Sequence, residues 1–352
     1  MRRRKLWITL AVVLVVAAIG VVVYLRSRAA PEAARLLPES DAVLFVNLRL
    51  MRLAHVFGEA SPVSYDPDYE QFVKETGFQF ERDLDQAAFA VHASAGWPNG
   101  EDSFFERARY SEIFIGKFDA QRASAYLRKL ASNTENYRDA VIYAIPHEGR
   151  TVRVAILGPD TVAVSNLPDT APIHQMIDKS RAAAWPSSAP SLVRDHYRQV
   201  PLGSVAWALA AVPGQTGHGP PSLVLPGGIV MPARWLAGST IVASARYLGA
   251  LHLRIEALTQ SESDARQLLD TAKTFFALVK GAESSVTQGG ADVDVKAFFA
   301  SLKVEQHGSR VALTATIPQG FIRKALTPPP GPPLAAPPPA PSQAPKKKEK
   351  NR

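Results

Sequence analysis

Alternating apolar and polar positions, broken by proline and glycine turns, run along the chain from residue 38 to residue 326. Short apolar runs of period two predict strands, and runs of helical period predict helices between them. In the first half, strands are predicted at Ala42–Asn47, 87–92, 111–118, 140–145, 151–157 and Thr161–Ser165. Helices are predicted over 67–75, over 120–131 with Asp119 as the N-cap, and from about 168 to 179.

The second half repeats the order of strand, helix, hairpin and short helix. Its strands are predicted at 205–210, Leu251–Leu258, 303–306 and Arg310–Ile317, and its helices at 261–280, 293–302 and 318–326. The repetition suggests an internal duplication of two similar lobes, 38–182 and 190–326. The alternative is one α+β domain whose elements recur. Both readings predict an α+β fold with mixed, mainly antiparallel sheets and packed helices.

An uncharged stretch that begins at Leu6 and ends at Leu25 precedes this region. At about 1.5 Å per residue, its twenty residues cover roughly the 30 Å of a bilayer's hydrocarbon core. A cleaved signal peptide would have a shorter apolar core and small residues at its end. Here Arg26 and Arg28 follow instead. We therefore predict one uncleaved transmembrane helix within an N-terminal unit of residues 1–28.

The charges on either side of this helix predict its orientation. Four cations precede it, at positions 2–5, and three follow it, at positions 26, 28 and 35. By the positive-inside rule the N-terminus is expected in the cytoplasm and the body outside it. In a bacterium, this is a single-pass protein of the inner (plasma) membrane with a periplasmic or extracytoplasmic body.

Two segments outside the lobes are predicted to lack a fold of their own. Residues 29–37 are a short alanine-rich linker. Residues 327–352 are a disordered tail, because ten of the eighteen residues from 328 to 345 are proline, which favours polyproline II. The tail's basic end is a candidate contact for polyanionic cell-wall polymers or lipid headgroups, and the alternative is a solubilising cap; its cations are Lys346, Lys347, Lys348, Lys350 and Arg352.

The net charge of +8 does not indicate a nucleic-acid partner. The flanks of the predicted anchor contribute +6 and the tail contributes +4, which leaves −2 for the body. A basic DNA-binding face is therefore not required by the charge of the folded part, and we predict no nucleic-acid partner.

Candidate chemistry is sparse. The chain has no cysteine, which excludes disulfides and thiolate ligands or nucleophiles. No phosphate-binding loop, serine-nucleophile elbow or HExxH motif occurs, and no two of the eight histidines are three or four residues apart. We accordingly predict no catalytic, cofactor-binding or metal-binding residue and no cofactor, with an enzyme of unrecognised motif as an alternative.

Several single residues are possible site candidates, and each has a simpler structural explanation or a weaker signal. Asp169 in an Asp-Thr-Ala sequence is better explained as a helix cap than as a protease aspartate, and the second such sequence, at Asp270, falls inside a predicted helix. His92 and His252 lie in predicted strands and are expected to be structural. Trp97 is the best candidate for an exposed aromatic residue.

An N-terminal anchor followed by a proline and a strand, as in LLPESDAVLFVNL, and then by helix-and-hairpin units resembles the layout of bacterial membrane-anchored envelope proteins. The resemblance is to proteins of unknown function; it covers residues 1–326, rests on no specific motif and implies no site. From the sequence as a whole we predict interaction or scaffolding in the cell envelope. The alternative is a module that binds an apolar or lipid-like ligand between the two lobes.

Overall fold

The computed structural model describes residues 29–56, 67–92, 109–182, 189–212, 222–225, 229–232, 236–286 and 293–326. Its strands are β1 Ala42–Asn47, β2 Leu84–His92, β3 Arg109–Gly116, β4 Asn133–Tyr137, β5 Ala140–His147, β6 Arg150–Ile156, β7 Thr161–Ser165, β8 Ala206–Ala211, β9 Ser222–Leu225, β10 Ile229–Pro232, β11 Thr240–Tyr247, β12 Leu251–Leu258, β13 Lys303–His307 and β14 Arg310–Ile317. Its helices are α1 Glu32–Leu36, α2 Leu48–Leu53, α3 Pro67–Thr76, α4 Phe80–Asp83, α5 Ala120–Leu130, α6 Ala171–Arg181, α7 Ser191–His196, α8 Glu262–Val286, α9 Val293–Ser301 and α10 Gln319–Leu326.

Twelve strands form one antiparallel sheet in the order β13-β14-β12-β11-β8-β1-β2-β3-β7-β6-β5-β4, and β9 pairs with β10 in a separate ribbon. The prediction of an α+β fold with mainly antiparallel strands and packed helices is confirmed, and the structure gathers most of the strands into one large sheet. The two halves of the chain share this sheet and meet where β1 pairs with β8. Outward from that pair, the first half continues with β2, β3 and the four strands β7-β6-β5-β4, and the second half continues with β11, β12 and the hairpin β14-β13.

The pairing of β1 with β8 is symmetric. Leu44 lies opposite Ala208, and each is the third residue of its strand. A short helix, α1 or α7, precedes each of the two strands. Glu39, before β1, accepts hydrogen bonds from the backbone N–H and the hydroxyl of Ser191 at the start of α7. The halves are therefore joined by the sheet and by a polar contact beside it.

The face of the sheet that carries Phe45, here called the first face, is covered by three helices. Val43, Phe45, Ile113 and Leu209 pack there against side chains of α1, α6 and α7. The α1 helix lies within the segment 29–37, which the sequence analysis describes as a linker. Its Ala33, Ala34 and Leu36 are at most 2% exposed, since their small or apolar side chains fit closely against the strands. This segment therefore contributes to the core.

Capping side chains set the start of two helices, of which the sequence predicts the one at Asp119. Asp119 accepts hydrogen bonds from the backbone N–H groups of Gln121 and Arg122, which begins α5. Asn47, the last residue of β1, accepts one from Leu50 N at 2.8 Å and so starts α2 directly after the strand. This second cap holds α2 against the beginning of β2.

Two hairpins differ in how well their turn residues suit the turn. Arg138 and Asp139 join β4 to β5 with φ of 46° and 63°, and Glu148 and Gly149 join β5 to β6 with φ of 48° and 73°. Positive φ at both central residues is the requirement of a type I′ turn, in which glycine is favoured. The first turn therefore carries backbone strain that the second avoids at its glycine.

Replacing Asp139 with glycine is expected to stabilise the protein by about 0.5–1 kcal/mol, because it relieves the left-handed conformation. The opposite substitution in the second turn, Gly149→Asp, should lower the free energy of unfolding by a similar amount. A Cβ at Gly149 would meet no atom within 4 Å. The substitution therefore acts through backbone conformation and causes no steric clash. Thermal unfolding midpoints of the two variants would measure this, and a lower midpoint for Asp139→Gly would contradict it.

Candidate interaction face

The opposite face of the sheet, here called the second face, is apolar across successive strands. Residues directly opposite one another in neighbouring strands point to the same side, so the register defines rows. One row consists of Val154, Val164, Glu112, Phe89, Leu44, Ala208, Ala243, Ile255 and Leu313. The next consists of Phe114, Ala87, Val46, Ala206, Ala245, Leu253 and Ala315. Glu112 is the single polar residue in these two rows.

Helices cover the two flanks of the second face. On one flank, Phe72 of α3 packs with Phe89 and Phe114 in a cluster around buried Phe78. On the other flank, Ala265 and Leu268 of α8 pack against Ala257, Val311 and Ile241. Both clusters bury apolar side chains between a helix and the sheet.

The middle of the second face lies between these flanks. Eight residues, here called the central patch, belong to none of the three core clusters of the described chain: Leu44, Val46, Ala206, Ala208, Ala243, Ala245, Leu253 and Ile255. Leu44 is 41% exposed and Ile255 is 38% exposed. The four alanines of β8 and β11 therefore form the floor of a shallow channel, and larger side chains on β1 and β12 form its sides.

Glu112 lies next to the central patch, in the row of Leu44. It is opposite Phe89 on β2 and Val164 on β7. Burial among these apolar neighbours raises the pKa of its carboxyl group to about 7. The side chain can therefore exchange a proton near neutral pH, although the sequence analysis did not single it out. The signal in the sequence is a glutamate flanked by Tyr110 and Phe114 on the same side of a strand.

On the first face, the seam between the two halves is filled. The rings of Phe45 and Trp207 stack at 5.4 Å between centroids, and Tyr197 lies 5.3 Å from Trp207. Phe45 and Trp207 are 2% and 3% exposed. Aromatic side chains therefore occupy this seam, and the apolar ligand predicted as an alternative stays untested.

A serine–histidine pair lies within the first half. His92 Nε2 lies 3.1 Å from Ser111 Oγ, which lies 3.3 Å from Ser165 Oγ. Burial lowers the pKa of His92, and the nearby Asp41 partly opposes this. Ser111 and Ser165 are both 0% exposed. The two serine hydroxyls are therefore buried within the described part of the chain, and half-buried His92 ends this chain of polar contacts.

Three further residues discussed in the sequence lie within or at the start of regular secondary structure. Asp169 accepts a hydrogen bond from Ala171 N at the start of α6, and Asp270 lies within α8. His252 Nδ1 contacts the hydroxyl of Thr316 at 3.2 Å on the neighbouring strand. Trp97 and the cations of the tail lie outside the described residues. Within the described ranges, histidine, aspartate and glutamate form no group suited to a metal ion.

No helix in the described part of the chain has the length and apolar character needed to cross a membrane. The predicted anchor, from Leu6 to Leu25, lies outside the described residues.

Comparisons with known proteins give only distant structural similarity. No protein-family model matches the chain, and no curated protein matches it. Among solved structures it is similar to TP0453 in crystal form III, with a TM-score of 0.40 and 9% identity over 84% of this chain and 97% of that chain. Crystal form IV of the same protein gives a TM-score of 0.39 and 10% identity over 84% and 96%. Values this low carry no information about function.

Proposed function

We propose that this chain is a single-pass membrane-anchored protein of the cell envelope that binds another protein and carries out no catalysis. In this proposal the helix from Leu6 to Leu25 holds the protein at the inner membrane, and the body lies on the extracytoplasmic side. The partner places an apolar helix on the central patch. The observation that carries the proposal is the partly exposed, alanine-floored channel between two helix-covered flanks.

The dimensions of the channel suit a helix. Neighbouring strands are about 4.8 Å apart, so β1 and β12, separated by three spacings, lie roughly 14 Å apart. An α-helix with its side chains is about 10–12 Å wide. A helix seated on the alanines would therefore contact Leu44 on one side and Ile255 on the other. It would complete the helix layer that α3 and α8 form on the flanks, in the manner of a helix bound in a groove.

The rest of the described chain favours binding over catalysis. The Ser111 hydroxyl beside His92 is buried, and an apolar sheet face offers contact area instead of reactive groups. An exposed apolar patch of this kind is a common mark of a protein–protein interface. The basic tail is proposed to make a second, polyanion-directed contact through Lys346 and its neighbours.

Site-specific photo-crosslinking in the native membrane tests this proposal. Benzoylphenylalanine placed at Leu44 or Ile255 is expected to crosslink to the same partner protein, and the crosslinked peptide should have an apolar helical face. Leu130, which is 44% exposed on α5, gives a control position of matched exposure. Adding Ala243→Glu to the Leu44 variant should abolish the product, because it places an unpaired charge in the contact.

Three results would contradict the proposal. The first is crosslinking of Leu44 and Ile255 to phospholipid alone, which would indicate an acyl chain in the channel. The second is crosslinking only to other segments of this same chain. The third is the same product from Leu130 as from Leu44, which would show that proximity and not the patch determines the reaction.

A further inference from the structure

A cationic cleft lies at the end of the sheet where α2 meets the beginning of β2. Its volume is about 410 Å³. Arg49, Arg52, Arg82 and Lys117 line it together with His55, and Asp85 is the one carboxylate that the described residues place in its lining. These residues come from α2, from α4 and β2, and from the segment after β3, so three parts of the chain place positive charge around one space.

Two of the four cations have partners within the protein. Arg52 donates hydrogen bonds to Leu84 O and Asp85 Oδ1, which fixes α2 to the start of β2. Arg82 pairs with Asp83 at 2.7 Å, and its hydrogen bond lowers the pKa of that carboxyl group. These guanidinium groups form a wall whose charge is largely offset.

The other two cations are available to a ligand. Within the described residues, no carboxylate forms an ion pair with Arg49 or Lys117. Both side chains are exposed. Among the described residues, four cations thus face the two carboxylates Asp83 and Asp85, which leaves a net positive charge of about two that an oxyanion with two negative charges would neutralise.

The backbone around the cleft is held in place at both ends of α2. Asn47 caps the start of the helix. At its end, Val56 N donates to Met51 O and His55 N donates to Arg52 O, and Val56 is buried at 1% exposure. This Schellman arrangement places His55 at φ 52°, where glycine is the usual residue. A histidine kept in a strained conformation beside a cationic cleft suggests that its imidazole has a use there.

We propose that this cleft binds a phosphate group, with Arg49 and Lys117 as the principal ligands and His55 as a further donor. Arginine and lysine bind phosphate oxygens through charge-assisted hydrogen bonds. The phosphate can belong to a soluble phosphate or to a phospholipid headgroup. Leu53, 69% exposed on the same lining, offers an apolar contact that only a phosphate attached to an acyl chain would use.

Calorimetric titration of the full chain in neutral detergent tests the proposal with two probes, inorganic phosphate and dihexanoyl phosphatidate. Saturable binding is expected at low ionic strength, and it should weaken as salt is added. The double variant Arg49→Gln/Lys117→Gln should weaken the binding of both probes by about tenfold or more, since two charge-assisted hydrogen bonds are lost. Arg128→Gln, which removes an exposed cation of α5 outside the cleft, is the control for the loss of a surface charge and should bind as the unaltered chain does.

The comparison of the two probes identifies the source of the phosphate. Tighter binding of the short-chain lipid, lost in Leu53→Ala, assigns the cleft to a headgroup. Equal affinities assign it to a soluble phosphate. Absence of saturable binding of both probes would overturn the proposal, as would a double variant that binds like the unaltered chain while its circular dichroism shows an intact fold.

His55→Gly separates a binding role from a structural one. Glycine suits the left-handed position, so the thermal midpoint should rise. Affinity for phosphate should fall severalfold at the same time. A higher midpoint with unchanged affinity would show that His55 does not bind the phosphate.

Discussion

Replacing Phe45 with alanine is expected to destabilise the protein by about 3–5 kcal/mol, the usual loss for a buried phenylalanine. Phe45 is 2% exposed and stacks on Trp207 across the pair of strands that joins the two halves. The shortened side chain would leave a cavity at the seam, where close packing on both sides limits collapse. Urea unfolding of the full chain in detergent would measure the loss.

The neighbouring Leu44 provides the control. It is one residue away in the same strand, but it points to the second face and is 41% exposed. Leu44→Ala should therefore cost less than about 1 kcal/mol, because little apolar area is removed from the interior. Equal losses for the two variants would show that the seam is not the tightly packed region described above.

Replacing Glu112 with glutamine is expected to stabilise the protein by about 2–3 kcal/mol at pH 8 and to have little effect at pH 5. The pKa of the Glu112 carboxyl group is raised from 4.5 to about 7 by burial. Between these values the folded state holds a proton that the unfolded state has lost. Stability therefore falls as pH rises through this window, and glutamine removes the fall because it stays neutral.

Unfolding free energies measured from pH 5 to pH 8 would test this. Glu305 is an exposed strand glutamate, so Glu305→Gln makes the same change of charge without the burial. It should alter stability by only a few tenths of a kcal/mol, as surface substitutions usually do. A Glu112→Gln variant whose advantage does not grow between pH 5 and pH 8 would contradict the raised pKa.

Much of the secondary structure was predictable because local signals agree with the final fold. The strands Ala42–Asn47, Thr161–Ser165 and Leu251–Leu258 were predicted with the bounds that the structure gives them. In each case turn residues precede an apolar run. The Asp119 cap and the hairpin from β13 to β14 were likewise predicted, since capping and tight turns depend on residues close in sequence.

Other elements had no local signal. The strand β4 reads NTENY, with no apolar alternation, and it forms because β5 offers it a partner. The strand β11 and the helix α7 were also missed, the latter because six residues are too few to show a helical period. That the two halves share one sheet depends on the pairing of β1 with β8, which lie more than a hundred and fifty residues apart.

The candidate sites depend on long-range register and were beyond the sequence analysis. Leu44, Ala208 and Ile255 form one surface only because three pairings bring their strands into line. Arg49 and Lys117 line one cleft although they are far apart in the chain. The hydrophobic pattern predicts which residues of one strand share a face, but it does not predict which residues of distant strands become their neighbours.

The twelve-stranded sheet is open, so it ends in two edge strands that could template the growth of fibrils. These edges are β4 and β13. Both are polar: Asn133, Thr134 and Asn136 are exposed on one, and Lys303, Glu305 and His307 on the other. Charged and amide side chains on an edge disfavour the addition of a further strand. Among the described residues, the apolar surface therefore lies in the middle of the sheet, and the two places from which aggregation would spread are polar.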